Sequence, residues 1–263
     1  MPAEHNARRV LVTGGASGFG RHIAATLAAA GDHVAVADIN GAQIEATRDA
    51  LGLHGFVADV RSRDQVQALV GDVAAALGGI DALVVSAGVF QMGPLEGITE
   101  DEWDRVLDVN LKGAFLVSQA CSAHLRASGR GRIVLIGSDC GRRGFAGQAA
   151  YVASKFGLNG LAESMAAELA PDHVTVNTLC PVGCPTTGIG QEVLEYKVAA
   201  NHHTAEEIMA AAALTNPVGR NATEADVTNA VLFFLADSAD FLTGVCLDVD
   251  GGAHLGSVPG LNP

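Results

Sequence analysis

Positive charge is scarce in this sequence. Sixteen lysines and arginines stand against 29 aspartates and glutamates, a formal net charge of −13. A surface so acidic argues against nucleic acid or an anionic membrane as partner, since both need a basic face. No apolar run approaches the roughly 20 residues that a bilayer span requires. Residues 1–9, Met-Pro-Ala-Glu-His-Asn-Ala-Arg-Arg, lack the apolar core of a signal peptide. A soluble, cytoplasmic protein is expected. The five cysteines (Cys121, Cys140, Cys180, Cys184, Cys246) are odd in number and scattered, unlike a disulfide framework. Cys180 and Cys184 have no second pair or nearby histidine to complete a zinc site, and His202-His203 sits in a polar stretch that reads as exposed. Reduced thiols and no metal are the expectation. No composition break and no internal repeat divides the chain, so residues 1–263 are expected to form one domain, close to the size at which chains tend to split.

What is present is concentrated around Ser138 and Tyr151-Val152-Ala153-Ser154-Lys155. A tyrosine four residues before a lysine shares a helix face with it, so both heads can enter one cleft. The run from Tyr151 to Ala170 has helical apolar spacing and ends at Pro171. Ser138 follows the apolar run Ile133–Ile136, which reads as a buried strand. A hydroxyl, a phenol and an ammonium make a proton-handling trio, and the ammonium is expected to lower the Tyr151 pKa from about 10 towards neutrality. A Tyr–Lys pair at this spacing is also common as a solvated surface pair; the rest of the chain decides between the two.

Arg9–Thr13 is a short β-rich run, followed at once by Gly14-Gly15-Ala16-Ser17-Gly18-Phe19-Gly20 and an Ala-rich amphipathic helix that stops at Gly31. Strand, glycine loop and helix in that order suit a pyrophosphate, because glycine lets the backbone approach and the helix start offers free N–H groups. The alternative is an ordinary Gly-rich turn. His33–Ala37 reads as a second strand with Asp38 at its end, where a doubly wound fold places an acid on the adenosine ribose hydroxyls. That carboxylate repels a 2′-phosphate, and neither Ile39 nor Ser17 supplies a compensating cation, so the cofactor reads as NAD rather than NADP. Asp38 can also cap the next helix.

The alternation continues. Phe56–Val60 is read as the end of a third short strand, Gln65–Leu77 as a helix, Ala82–Ser86 as the fourth strand, and Trp103–Leu125 as one helix containing Asn110. Ile133–Ile136, Val174–Leu179 and Val245–Val249 complete seven strands. Apolar strands without polar alternation have both faces covered, which means a three-layer α/β/α sandwich on a parallel sheet.

With these motifs together, Thr13-Gly14-x-x-x-Gly18-x-Gly20, Asp38, Asp59-Val60, Ser86-Ala87-Gly88, Asn110, Ser138, Tyr151-x-x-x-Lys155 and Pro181 with Gly183, the chain resembles the short-chain dehydrogenase/reductase family over nearly its whole length. The resemblance implies a Rossmann-like, doubly wound fold with a seven-stranded parallel sheet ordered 3-2-1-4-5-6-7. It implies Tyr151 as catalytic acid/base, Lys155 as the residue that tunes it and binds the nicotinamide ribose, and Ser138 as the hydroxyl that holds the substrate oxygen. Asn110 would hold a relay water through its backbone. Asp59 and Val60 would contact the adenine, and Thr186 the nicotinamide amide or the phosphates. Gly14, Ser17, Gly18, Phe19, Gly20, Asp38, Ile39, Ser86, Ala87, Gly88, Pro181 and Gly183 complete the expected cofactor set. Two departures stand out: Val85-Ser86-Ala87-Gly88 where the family has Asn-Asn-Ala-Gly, and Cys180-Pro181-Val182-Gly183 where it has Asn-Pro-Gly, which displaces the glycine by one position.

The expected activity is hydride transfer between NAD(H) and a secondary alcohol or ketone. Two rivals are epimerisation or dehydration of a nucleotide sugar, for which the chain has no added C-terminal substrate region, and a catalytically silent NAD-sensing protein, which would tend to lose the Tyr or Lys. Cys140, Phe145 and Gln148 are expected to wall the substrate side; Arg142-Arg143 could hold a substrate carboxylate or phosphate but reads rather as a solvated or interfacial pair. The segment at about 183–214 is expected to be a lid, as the resemblance implies. The same kinship, with the apolar Leu255, Val258 and Leu261 of the tail, points to a homotetramer.

Overall fold

The computed structural model describes residues 6–201 and 203–255. Seven strands form one sheet in the order β3-β2-β1-β4-β5-β6-β7. They are β1 (Arg9–Thr13), β2 (His33–Asp38), β3 (His54–Val57), β4 (Ala82–Val85), β5 (Arg132–Ile136), β6 (Thr175–Pro181) and β7 (Cys246–Val249), and every neighbouring pair is parallel. This is the doubly wound architecture, with the order reversing between β1 and β4.

Helices cover both faces, and the strand residues divide between them with the period of two that a pleated sheet imposes. Leu11, Leu83, Ile133 and Leu135 pack with α3 (Arg63–Leu77), α5 (Gly113–Ser128) and α6 (Ala149–Leu169). Val10, Val12, Val84 and Val134 pack with Ile23 and Leu27 of α1 (Gly18–Ala29), Ile44 of α2 (Gly41–Leu51) and Phe234 of α9 (Glu224–Leu235). Two apolar layers on one sheet explain why the strands read as unbroken apolar runs.

Two expected elements are corrected. The third strand, expected to end over Phe56–Val60, is His54–Val57 and stops at Val57. It pairs Ala35 with His54 and Asp38 with Val57, and Val60 lies beyond it, buried against the helix side of the sheet. The single helix over Trp103–Leu125 is α4 (Glu100–Leu107), a wide π turn over Asp108–Lys112, and then α5. A Thr99–Glu102 capping box starts α4 before Trp103. Such π turns often mark functional positions, and Asn110 is at its centre.

After β6 the chain forms α7 (Gly188–Asn201) and α8 (Ala205–Thr215). His203 is exposed beside Glu207 at 3.4 Å, and His202 lies outside the described residues. So do Val258 and Leu261, whereas Leu255 is exposed. All five cysteines are free thiols. Among the described residues no helix is long and apolar enough to cross a membrane, and no group of three His, Cys, Asp or Glu side chains could hold a metal.

Candidate active site

A cleft of about 530 Å³ runs over the C-terminal ends of the strands. Its floor begins at the glycine loop. Gly14 has φ +65°, and a Cβ there would lie 2.6 Å from the Ala87 nitrogen. Gly20 packs on the Gly14 carbonyl with no room for a side chain, beneath the cleft rather than in its lining. Ser17 precedes α1 in extended conformation without capping it, whereas α2, α3, α4, α8 and α9 are each capped by a side chain. The first N–H groups of α1 are therefore open to an anion at the positive end of the helix. Gly14, Ser17, Gly18 and Phe19 line this end, a cradle that suits a dinucleotide pyrophosphate.

The loop is tied to β2. Asp38 accepts hydrogen bonds from the Ala16 N–H (3.3 Å) and the Asn40 N–H (3.1 Å), and it lines the cleft beside the exposed Ile39. Asp59 and Val60 line the same end. Arg61 pairs with Asp59 at 2.7 Å and holds that carboxyl below its usual range. Ser86, Ala87 and Gly88 line the middle, and Pro181 and Gly183 the opposite wall.

Ser138 leaves the end of β5, and the first turns of α6 bring Tyr151 and Lys155 beside it. All three are buried and line the cleft. The Ser138 hydroxyl donates to Asp139 Oδ1 (3.1 Å) and accepts from the Cys140 N–H (3.1 Å). Lys155 Nζ donates to the Ile136 carbonyl at 2.9 Å and lies 5.5 Å from the Tyr151 ring centroid. Burial lowers the Lys155 pKa to about 8. The expected lowering of Tyr151 is not found. Burial, with the negative potential of Cys140 and Asp139 added, pushes the phenol above its usual value of 10, and the Ser138 hydroxyl only partly opposes this. Removing a phenolate from water is the largest of these effects.

Asn110 does not line the cleft. Its side chain brackets Val89, accepting the backbone N–H (2.8 Å) and donating to the carbonyl (3.0 Å), and it donates to Ser154 Oγ (3.1 Å). Ser154 in turn donates to the Tyr151 carbonyl at 2.7 Å. The π turn thus joins the β4 loop to α6.

The cleft wall near the trio differs from expectation. Cys140 is turned into the fold and donates to Gln148 Oε1 at 3.1 Å, while Phe145 lies on the surface under Arg143, 5.1 Å from its ring; none of the three lines the cleft. Arg142 pairs with Asp248 (3.3 Å) and Arg143 with Asp139 (3.4 Å). The wall is instead Val89 and Val109 on one side with Ile189, Val193, Ile208 and Met209 of α7 and α8 on the other. Thr186 faces Glu224 (2.8 Å), and the adjacent Thr187 is the threonine that lines the cleft. The one-residue displacement at Gly183 was the signal for that shift. Arg105, which donates to the Phe90 carbonyl (3.0 Å), and Lys197 also line the cleft, and no residue type or spacing announced either.

The family described as short chain dehydrogenase matches residues 8–198. A 2-(S)-hydroxypropyl-CoM dehydrogenase of Xanthobacter autotrophicus is 34% identical over 92% of this chain and 95% of its own. A D-threitol dehydrogenase of Mycolicibacterium smegmatis is 36% identical over 92% and 91%. An actinorhodin polyketide ketoreductase solved with NADPH superposes with a TM-score of 0.89 at 31% identity, covering 94% of this chain and 99% of that one.

Proposed function

The chain belongs to the short-chain dehydrogenase family, and on that footing we propose that Ser138, Tyr151 and Lys155 carry its chemistry with NAD as the cofactor. It is an oxidoreductase that moves hydride between a nicotinamide cofactor and a carbon bearing an alcohol or carbonyl oxygen. The observation that supports the roles is the meeting of these three side chains in one buried cleft that ends at the glycine loop. Gly14, Ser17, Gly18 and the start of α1 would hold the pyrophosphate, and Asp38 the adenosine ribose. A nicotinamide cofactor held there would supply the hydride donor or acceptor and, when oxidised, a positive charge beside the trio. Tyr151 takes the hydroxyl proton in oxidation and returns it in reduction. Lys155, with a pKa near the working range, is poised to pass a proton and to stabilise the phenolate. Ser138 holds the substrate oxygen.

NAD is favoured by the Asp38 carboxylate beside Ile39, with Arg61 at the same end already held by Asp59. The ketoreductase relative carries NADPH, so this preference is a reading of these residues. Around the trio the wall is apolar, with Arg105 and Lys197 as added cations; the acids that line the cleft are Asp38 and Asp59, at the adenosine end. That pattern supports a secondary alcohol or ketone with an apolar body and an anionic group. The α7–α8 segment is its lid. One domain, a cytoplasmic setting in keeping with free thiols, and a homotetramer complete the reading. Exposed Phe115 and Phe156 on α5 and α6 support the assembly, and a monomer by light scattering would remove it. Tyr151→Phe tests the core of the reading. NADH binding should persist while turnover falls at least about a hundredfold, and retained turnover would sink the assignment.

A further inference from the structure

A hydroxyl has one proton to donate and two lone pairs with which to accept. At Ser138 the proton goes to Asp139 Oδ1 at 3.1 Å, because a carboxylate oxygen can only accept. One lone pair is taken by the Cys140 N–H at 3.1 Å. A single lone pair is left for the cleft. We propose that Asp139 is a positioning residue that holds Ser138 as a hydrogen-bond acceptor and so keeps the proton on Tyr151 until the pH is raised. The proposal rests on the reading of Tyr151 as the acid/base.

Asp139 is well placed for this. It opens the short turn Asp139–Gly141 that Ser138 caps, its side chain is mostly buried, and Arg143 steadies it from the surface at 3.4 Å. With Ser138 held as an acceptor, the neutral Tyr151 O–H or an alcohol O–H can donate to it. The Ser138 hydroxyl can lower the phenol by donating to a phenolate, but to do so, or to donate to a ketone oxygen, it must give up its bond to Asp139. The carboxylate therefore acts on the phenol twice, through its charge and by withholding the serine proton. Around the Tyr151 ring, Asp139 and Cys140 come from the turn after β5 and Lys155 from α6. Phe90 of the β4 loop meets the ring edge-on at 4.8 Å, and Ile189 and Val193 of α7 are apolar. The upward push on the phenol from Asp139 agrees with this arrangement.

The experiment is the pH profile of kcat/KM for alcohol oxidation with NAD⁺, comparing the native protein with Asp139→Ala. The acid limb should move down by about one unit, the order expected for removing a like charge at close range, with the dissociation constant for NADH unchanged. In a Ser138→Ala background the same substitution should shift the limb by less than half as much, because the route through the hydroxyl is gone. A limb that stays in place in a variant with normal turnover overturns the inference and leaves the role of Tyr151 standing. A Tyr151→Phe protein that still turns over overturns the reading beneath it. If Asp139→Ala does not bind NADH, Arg143→Gln gives the test with opposite sign. Relieved of its counter-ion, Asp139 holds the phenol proton more firmly and the limb moves up, and an immobile limb there refutes the proposal.

Discussion

Replacing Asn110 with alanine should unsettle the fold before it touches the chemistry. The side chain is 2% exposed and makes three hydrogen bonds, two of them to the backbone of Val89 and one to Ser154. Ser154 keeps its bond to the Tyr151 carbonyl, so the loss falls on the Val89 N–H and C=O. A backbone group left without a partner costs about 1–3 kcal/mol where water cannot reach it. Val89 is half-buried at the edge of the cleft, so one of the pair can be rehydrated and the other less readily. A total of roughly 2–4 kcal/mol follows, equivalent to a drop in Tm of about 5–15 °C for a chain of this size. The assay is urea and thermal unfolding, with KM measured alongside, since Val89 lines the cleft and should loosen with its bracket. Asn110→Asp keeps the shape and the acceptor but loses both donors, and it should be no better tolerated. A destabilisation below about 1 kcal/mol, with turnover abolished, would refute this reasoning. Asn110 would then act in the reaction and not through the loop.

Asp38→Asn combined with Ile39→Arg should raise the NADP⁺/NAD⁺ ratio of kcat/KM at least tenfold, about 1.4 kcal/mol; a native protein that already prefers NADP⁺ contradicts the reading of Asp38. Lys155 falls from 10.5 to about 8 on burial, so between those values the unfolded chain binds the extra proton and stability rises with pH. Relative to Lys155→Met, the native protein should gain urea resistance from pH 8 to 10, whereas Tyr151, shifted upward, works against stability only above pH 10; a constant difference between the two proteins would refute this. Arg105→Gln and Lys197→Gln should raise KM for an anionic hydroxy acid about tenfold, leaving a neutral alcohol and NADH binding unaffected. Weaker NADH binding would assign these cations to the cofactor.

The strands could be read because each is buried on both faces. Val10-Leu11-Val12 sends alternate residues into opposite apolar layers, and an unbroken apolar run is what that requires. His54–Val57 escaped because its ends are exposed and Gly55 carries no side chain, while the more apolar neighbour Val60 belongs to the core without belonging to the strand. The π turn at Asn110 was hidden for a related reason. One extra residue shifts the apolar phase by less than a helix face is wide, so the pattern runs through it. The cleft wall facing the trio was not legible because nearness in sequence to Ser138 is not nearness in the cleft. The turn after Ser138 rotates Cys140 inward, and the chain then carries Phe145 out to the surface, so the facing wall comes from α7 and α8, some 50 residues on. The Tyr151–Lys155 spacing placed both heads in one cavity but carried no information about its dielectric. Burial raises the cost of a phenolate and of an ammonium together, so the pair moves towards neutrality from both sides. A tyrosine raised and a lysine lowered together hold the shared proton on the phenol. Added positive charge would then decide when the phenolate forms, and the oxidised nicotinamide brings such a charge. Proton removal would thus be coupled to the presence of the hydride acceptor, which spacing alone could not have implied.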